Sequence, residues 1–229
     1  MCEDIRGSTY PLRRSLLLSL CVALPAVAGV SACGENNGVN GSVHVAAGQE
    51  ASSAHTVNGS IHVDDNATVT SAGTVNGNVH LGAHATATSL NTVNGSISLG
   101  EGAHASGSVD TVNGEIVLND AADAGGGISN VNGRIKVTAA HVGGSIHTVN
   151  GNITITGASR VDGGILVKKP SGNLFKNDDP IIIIGPGATV QGNLRFERTV
   201  RLYVSDKATI GTVTGATPIM FSGDTPPPP

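Results

Sequence analysis

Apolar residues return along this chain with two superposed rhythms. Val39, Val45, Ala51, Val57, Val63, Val69, Val75, Leu81, Ala87, Val93, Leu99 and Ala105 fall at every sixth position. One extra residue re-phases the series to Val112, Leu118 and Ala124, a second to Val131 and Val137, and it resumes at Val149, Ile155, Val161 and Val167. Within it, pairs such as Ile61 and Val63, or Val79 and Leu81, straddle a polar residue, His62 or His80. Alternation of period two is the pattern of a strand with one buried face. A helix is excluded by the Val/Ile/Thr bias and by an Asn-Gly in each repeat.

A longer period organises these strands. Val-Asn-Gly recurs with its asparagine at Asn40, Asn58, Asn76, Asn94, Asn113, Asn132 and Asn150, an even spacing that two single added residues interrupt. Such a period marks a stacked repeat architecture. Three six-residue segments per 18-residue turn describe a triangular coil, each turn lying about 4.8 Å from the last. The chain is therefore expected to be all-β, a single-stranded, three-faced parallel β-helix in which the backbone of every turn pairs with the turns on either side. Asn-Gly suits a tight corner, because it tolerates the positive φ such a corner needs and glycine there removes a Cβ clash. Stacked asparagines can hydrogen-bond along the axis as a ladder, with Thr56, Thr74, Thr92, Thr111 and Thr148 forming a second ladder beside them. Removing one inner amide, Asn94→Ala, is expected to cost about 1–2 kcal/mol in chemical denaturation.

The pattern divides the chain. Residues 39–169 read as the repeats and 170–180 as a surface loop. Residues 181–222 read as the last coils and a C-terminal cap that gathers Phe196, Tyr203, Phe221 and several arginines, since a solenoid must close its open end. A proline tail follows at 223–229. Residues 1–32 read as a signal peptide: Arg13 and Arg14, a largely apolar stretch, then Val30-Ser31-Ala32-Cys33. That tetrapeptide resembles a bacterial lipobox, which implies lipidation of Cys33, with 33–38 as the lipid-anchored tether; cleavage after Ala32 by ordinary signal peptidase is the alternative. Gly34 after the cysteine favours, by the sorting rule of such lipoproteins, the outer membrane.

Composition narrows the function. There is no tryptophan, aromatics make up 2% and charged residues 13% of 229 residues, while glycine reaches 32. A core of small and β-branched side chains is what these numbers allow. Without the leader the chain has a single cysteine, Cys33, so no internal disulfide can form. It then holds 10 Lys+Arg against 15 Asp+Glu. This acidic balance, without aromatic platforms, argues against nucleic acid as a partner. Membrane attachment would come through the lipid.

The repeat strings Val57-Asn58-Gly59-Ser60-Ile61, Val149-Asn150-Gly151-Asn152-Ile153 and Val190-Gln191-Gly192-Asn193-Leu194 resemble the Val-x-Gly-x-Ile repeat of bactofilins. The resemblance implies a right-handed three-faced coil and end-to-end polymerisation into a scaffold. Bactofilins are cytosolic, and the export signal departs from that pattern. Ile184-Gly185-Pro186-Gly187-Ala188-Thr189 resembles instead the hexapeptide repeat of left-handed β-helix acyltransferases, so handedness stays open, with the right-handed coil carried forward.

Candidate chemistry is sparse. His44, His62 and His80 take equivalent outward positions on three successive turns, where neighbouring imidazoles could share a metal ion; the plain alternative is an exposed polar face. No Ser-His-Asp arrangement, phosphate-cradling loop or Cys/His zinc spacing stands out. The acyltransferases' histidine beside a protruding loop has no counterpart at His141 or His147. The expectation is a non-enzyme without cofactor: an exported, lipid-anchored structural or adhesive protein of the cell envelope, with a bactofilin-like polymer or a carbohydrate- or metal-binding surface as alternatives. Its protein or glycan partner is left undetermined, and homo-oligomers are possible.

Overall fold

The computed structural model describes residues 34–170 and 179–227. The leader, Cys33 and most of the 170–180 loop lie outside them. The described residues form one sheet of 26 strands in which every pairing is parallel, coiled into about ten turns without a helix. It is an all-β parallel β-solenoid. Equivalent positions one turn apart, such as Asn58 and Asn76 or Asn76 and Asn94, differ by 18 in sequence.

Each turn has three faces. The first carries the short strands Val43–Val45, Ile61–Val63, Val79–Leu81, Ile97–Leu99 and Ile116–Leu118, with the same register continuing through Asn132–Thr138, Asn150–Thr156, Ile181–Ile184, Arg201–Ser205 and Ile219–Phe221. The second and third faces are joined in the early turns by nine-residue strands, Glu50–Asn58, Thr68–Asn76 and Thr86–Asn94, which run unbroken across the corner between them. Later turns split that strand in two.

The inward positions depart from a strict six-residue rhythm. In one turn they are Ile61 and Val63, Ala67 and Val69, then Ala72 and Thr74. The third pair comes one residue early, because the corner at Thr70-Ser71 is short and the one at Val75-Asn76-Gly77-Asn78 is long. Val57, Val75, Val93, Val112 and Val131, which the rhythm of six aligns with the core, are therefore 37–40% exposed, and Val39 is 68% exposed. Threonine goes in instead. Thr56, Thr74, Thr92 and Thr111 each donate a hydroxyl hydrogen bond of 2.9–3.0 Å to the carbonyl of Gly41, Gly59, Gly77 or Gly95 in the preceding turn. The long corner needs a donor for that carbonyl, and valine has none. The threonines thus bond to the corner backbone rather than to one another.

Two further corners explain local sequence. At the Asn-Gly corner a Cβ on Gly59, Gly77, Gly95 or Gly114 would lie 1.9–2.2 Å from the carbonyl oxygen of the glycine one turn back. Close backbone approach, more than conformation, selects glycine here. At the corner after the first face, residues 48, 66, 84, 102, 121, 139, 157 and 187 all take a left-handed φ, between 45° and 76°. Half are not glycine: Asn66, His84, Ala121 and Ala139.

Gly34–Asn37, read from the sequence as a tether, forms a strand parallel to Glu50–Asn58. Backbone pairing takes no account of side-chain polarity, and this segment occupies an edge that would otherwise be open. At the other end Phe196, Tyr203 and Phe221 are buried in the last turns.

Candidate functional site: side-chain rows along the solenoid

Stacking in register converts each outward position into a row parallel to the axis, so any site must be built from such rows. Three are notable.

The asparagines of the Val-Asn-Gly corner make one. Asn58, Asn76, Asn94, Asn113, Asn132 and Asn150 each donate from Nδ2 to the Oδ1 of the asparagine one turn back, at 2.8–3.0 Å, beginning from Asn40. Every amide in the series points the same way. The last acceptor, Asn150 Oδ1, is met by Arg198 Nη1 at 2.6 Å, and the same nitrogen donates to the Val149 carbonyl at 3.2 Å. A guanidinium from two turns on thus ends the series. Beside it runs the stripe of exposed valines.

His44, His62 and His80 are in register on the first face. The rings of His62 and His80 lie 6.2 Å apart at 55° to one another, and His44 Nε2 turns aside to Asp64 Oδ2 at 2.7 Å. The outer two histidines are about 9.6 Å apart along the axis, two inter-strand spacings, and with His44 bonded to Asp64 the three rings do not converge on one point. Among the described residues no three His, Cys, Asp or Glu side chains are grouped to hold a metal.

The third row was not legible in the sequence. On the second face His104, Asp123, His141 and Arg160 occupy one register position on successive turns. His104 Nδ1 meets Asp123 Oδ2 at 2.8 Å, and Asp123 Oδ1 meets His141 Nδ1 at 2.7 Å. His141 Nε2 then reaches Asp162 Oδ2 at 3.1 Å, and Asp162 Oδ1 accepts from Arg160 Nε at 2.6 Å. The result is a line of alternating base and acid across four turns. The hydrogen bond to Asp162, followed by Asp123, outweighs desolvation and raises the His141 pKa above its ordinary value. The hydrogen bonds from His141 and Arg160 lower that of Asp162. The positions 104, 123, 141 and 160 follow the repeat period with its re-phasing residues, and only that signal could have brought them together beforehand.

On the third face Asp110, Ser129 and His147 are also in register, around a shallow recess that Ser145 helps to line. Their order puts the hydroxyl between acid and base, whereas a relay needs the base in the middle. His147 is half-buried and its pKa is lowered, first by desolvation and then by Lys168, with Asp110 opposing.

Compared with known protein families, curated proteins and solved structures, the chain matches none. The likeness to bactofilins therefore rests on the repeat residues alone, and function has to be read from these rows.

Proposed function

We propose that this chain is an exported, lipid-anchored structural or adhesive protein of the bacterial cell envelope, a non-catalytic rod held at the outer membrane through Cys33. The observation that carries the reading is the continuity of the stack. About ten turns stack in register, seven of them sharing one asparagine corner and its ladder, which makes a stiff spacer about 45–50 Å long at the normal inter-strand distance. Outward side chains bond chiefly along the axis to their own equivalents, as befits a surface whose task is extent and rigidity. Mass spectrometry of the mature amino terminus tests the anchor. A diacylglycerol-modified Cys33 is expected, and an unmodified Cys33 terminus would refute lipid anchoring. Fractionation of cells making Cys33→Ser is expected to move the protein from the outer membrane to the soluble fraction.

One observation favours a self-assembling scaffold as a second reading. Among the described residues the first-turn strand Val43–Val45 is paired on one side only, with Ile61–Val63. An open parallel edge is a template for another chain. Filaments of the purified mature protein in negative-stain electron microscopy would support that reading, and isolated rods would remove it.

A further inference from the structure

We infer that His141 is a proton-binding clamp between three successive turns, its proton-bearing ring held by the carboxylates of Asp123 and Asp162, so that the grip of this edge of the stack depends on pH.

The argument begins with valence. Nδ1 lies 2.7 Å from Asp123 Oδ1 and Nε2 lies 3.1 Å from Asp162 Oδ2. An ionised carboxylate only accepts, so both ring nitrogens must carry hydrogen, and an imidazole with two N–H groups is a cation. The charged groups around the ring fit that state. From the preceding turn come Asp123 and, beyond it, His104, whose Nδ1 holds the other oxygen of Asp123 at 2.8 Å. From the following turn come Asp162 and Arg160, joined to each other at 2.6 Å, with Arg160 Nη2 also donating to Gln191 at 3.2 Å. Read along the axis, Asp123, the protonated His141, Asp162 and Arg160 bring charges of alternating sign to the contacts.

Loss of the proton from His141 breaks this order. A neutral ring donates through one nitrogen and turns a lone pair toward the other carboxylate, so one of the two links between turns becomes repulsive. The direction of the His141 pKa agrees. A pKa raised on folding means that the contribution is fully present below about 6.5, the unfolded value, and is lost as pH climbs through the folded value. The lower bound comes from Asp162. Its pKa is depressed from 3.8, so its part persists into acid and is lost as pH falls through the depressed value. The clamp is therefore closed in mild acid. The side chains are 34–40% exposed, so added salt should weaken it.

The test uses the full mature chain. Urea denaturation midpoints of the natural protein and of His141→Gln are compared at pH 5.5 and pH 8.5, with and without added sodium chloride. The natural protein should be the more resistant at pH 5.5, and the gap should narrow at pH 8.5 and in salt. A gap independent of both would mean that His141 only packs, and would overturn the proposal. If His141→Gln does not fold, the ring resonances of His141 are titrated by NMR in the natural chain and in Asp162→Asn. A midpoint above 6.5 that drops in the variant supports the clamp; a midpoint at or below 6.5 in the natural chain rejects it.

Discussion

Asn130 stands where the neighbouring turns place threonine, and it is the buried polar residue least well served. It is 2% exposed, yet among the described residues neither its Oδ1 nor its Nδ2 has a hydrogen-bond partner. A threonine there would sit between Thr111 and Thr148 and could reach a corner carbonyl as Thr111 does. Asn130→Thr is expected to stabilise the fold by about 1–3 kcal/mol in chemical denaturation, the usual cost of a buried unsatisfied polar group. The opposite holds at Gly95. A methyl group there would stand 1.9 Å from the carbonyl oxygen of Gly77, and backbone cannot swing aside as a side-chain end can. Gly95→Ala is expected to lose about 3 kcal/mol, at the upper end of overpacking costs, measured the same way.

At the scale of the element, strand pairing decides which titrating groups matter. His147 ends the row of Asp110 and Ser129 on the third face, and burial together with Lys168 holds its pKa below the ordinary value. The fold thus favours the neutral ring. Stability owed to this group is intact above about 6.5 and falls as pH drops through the depressed value, the reverse of His141. In His147→Gln, the thermal midpoint should match the natural protein near pH 8 and exceed it near pH 5. A variant that tracks the natural protein throughout would show that His147 is not the group that weakens the third face in acid.

Along the whole solenoid the core is graded. One inward row of the third face runs Ala54, Ala72, Leu90, Val109, Ile128, Ile146, Ile165 and Leu194. Its neighbour on the second face runs Ala51, Val69, Ala87, Ala105 and Ala124 before Val142, Val161 and Val190. Replacing alanine by isoleucine adds three buried carbons, worth about 2.4 kcal/mol at about 0.8 kcal/mol per methylene. Turns interact only with their neighbours, so local stability should follow this gradient. Hydrogen exchange is expected to be faster in the amides of Glu50–Asn58 and Thr68–Asn76 than in those of Asn150–Thr156 and Ile165–Val167. Uniform protection along the stack would contradict the gradient.

The architecture was legible because periodicity is a local property. The evenly returning Val-Asn-Gly, and pairs such as Ile61 and Val63, specify strands, corners and turn length without knowledge of any contact. The identity of the inward residue at the long corner was not legible. Valine and threonine are both β-branched, so pattern alone prefers the apolar one; only the position of a carbonyl in the preceding turn brings Thr74 in and leaves Val75 out. The His104, Asp123, His141 and Asp162 row was hidden for a related reason. Its members lie a full turn or more apart in sequence, and whether they share an edge depends on where the re-phasing residues are absorbed. Sequence sets what each turn is made of. Registration between turns, a long-range consequence of backbone pairing, decides which side chains meet.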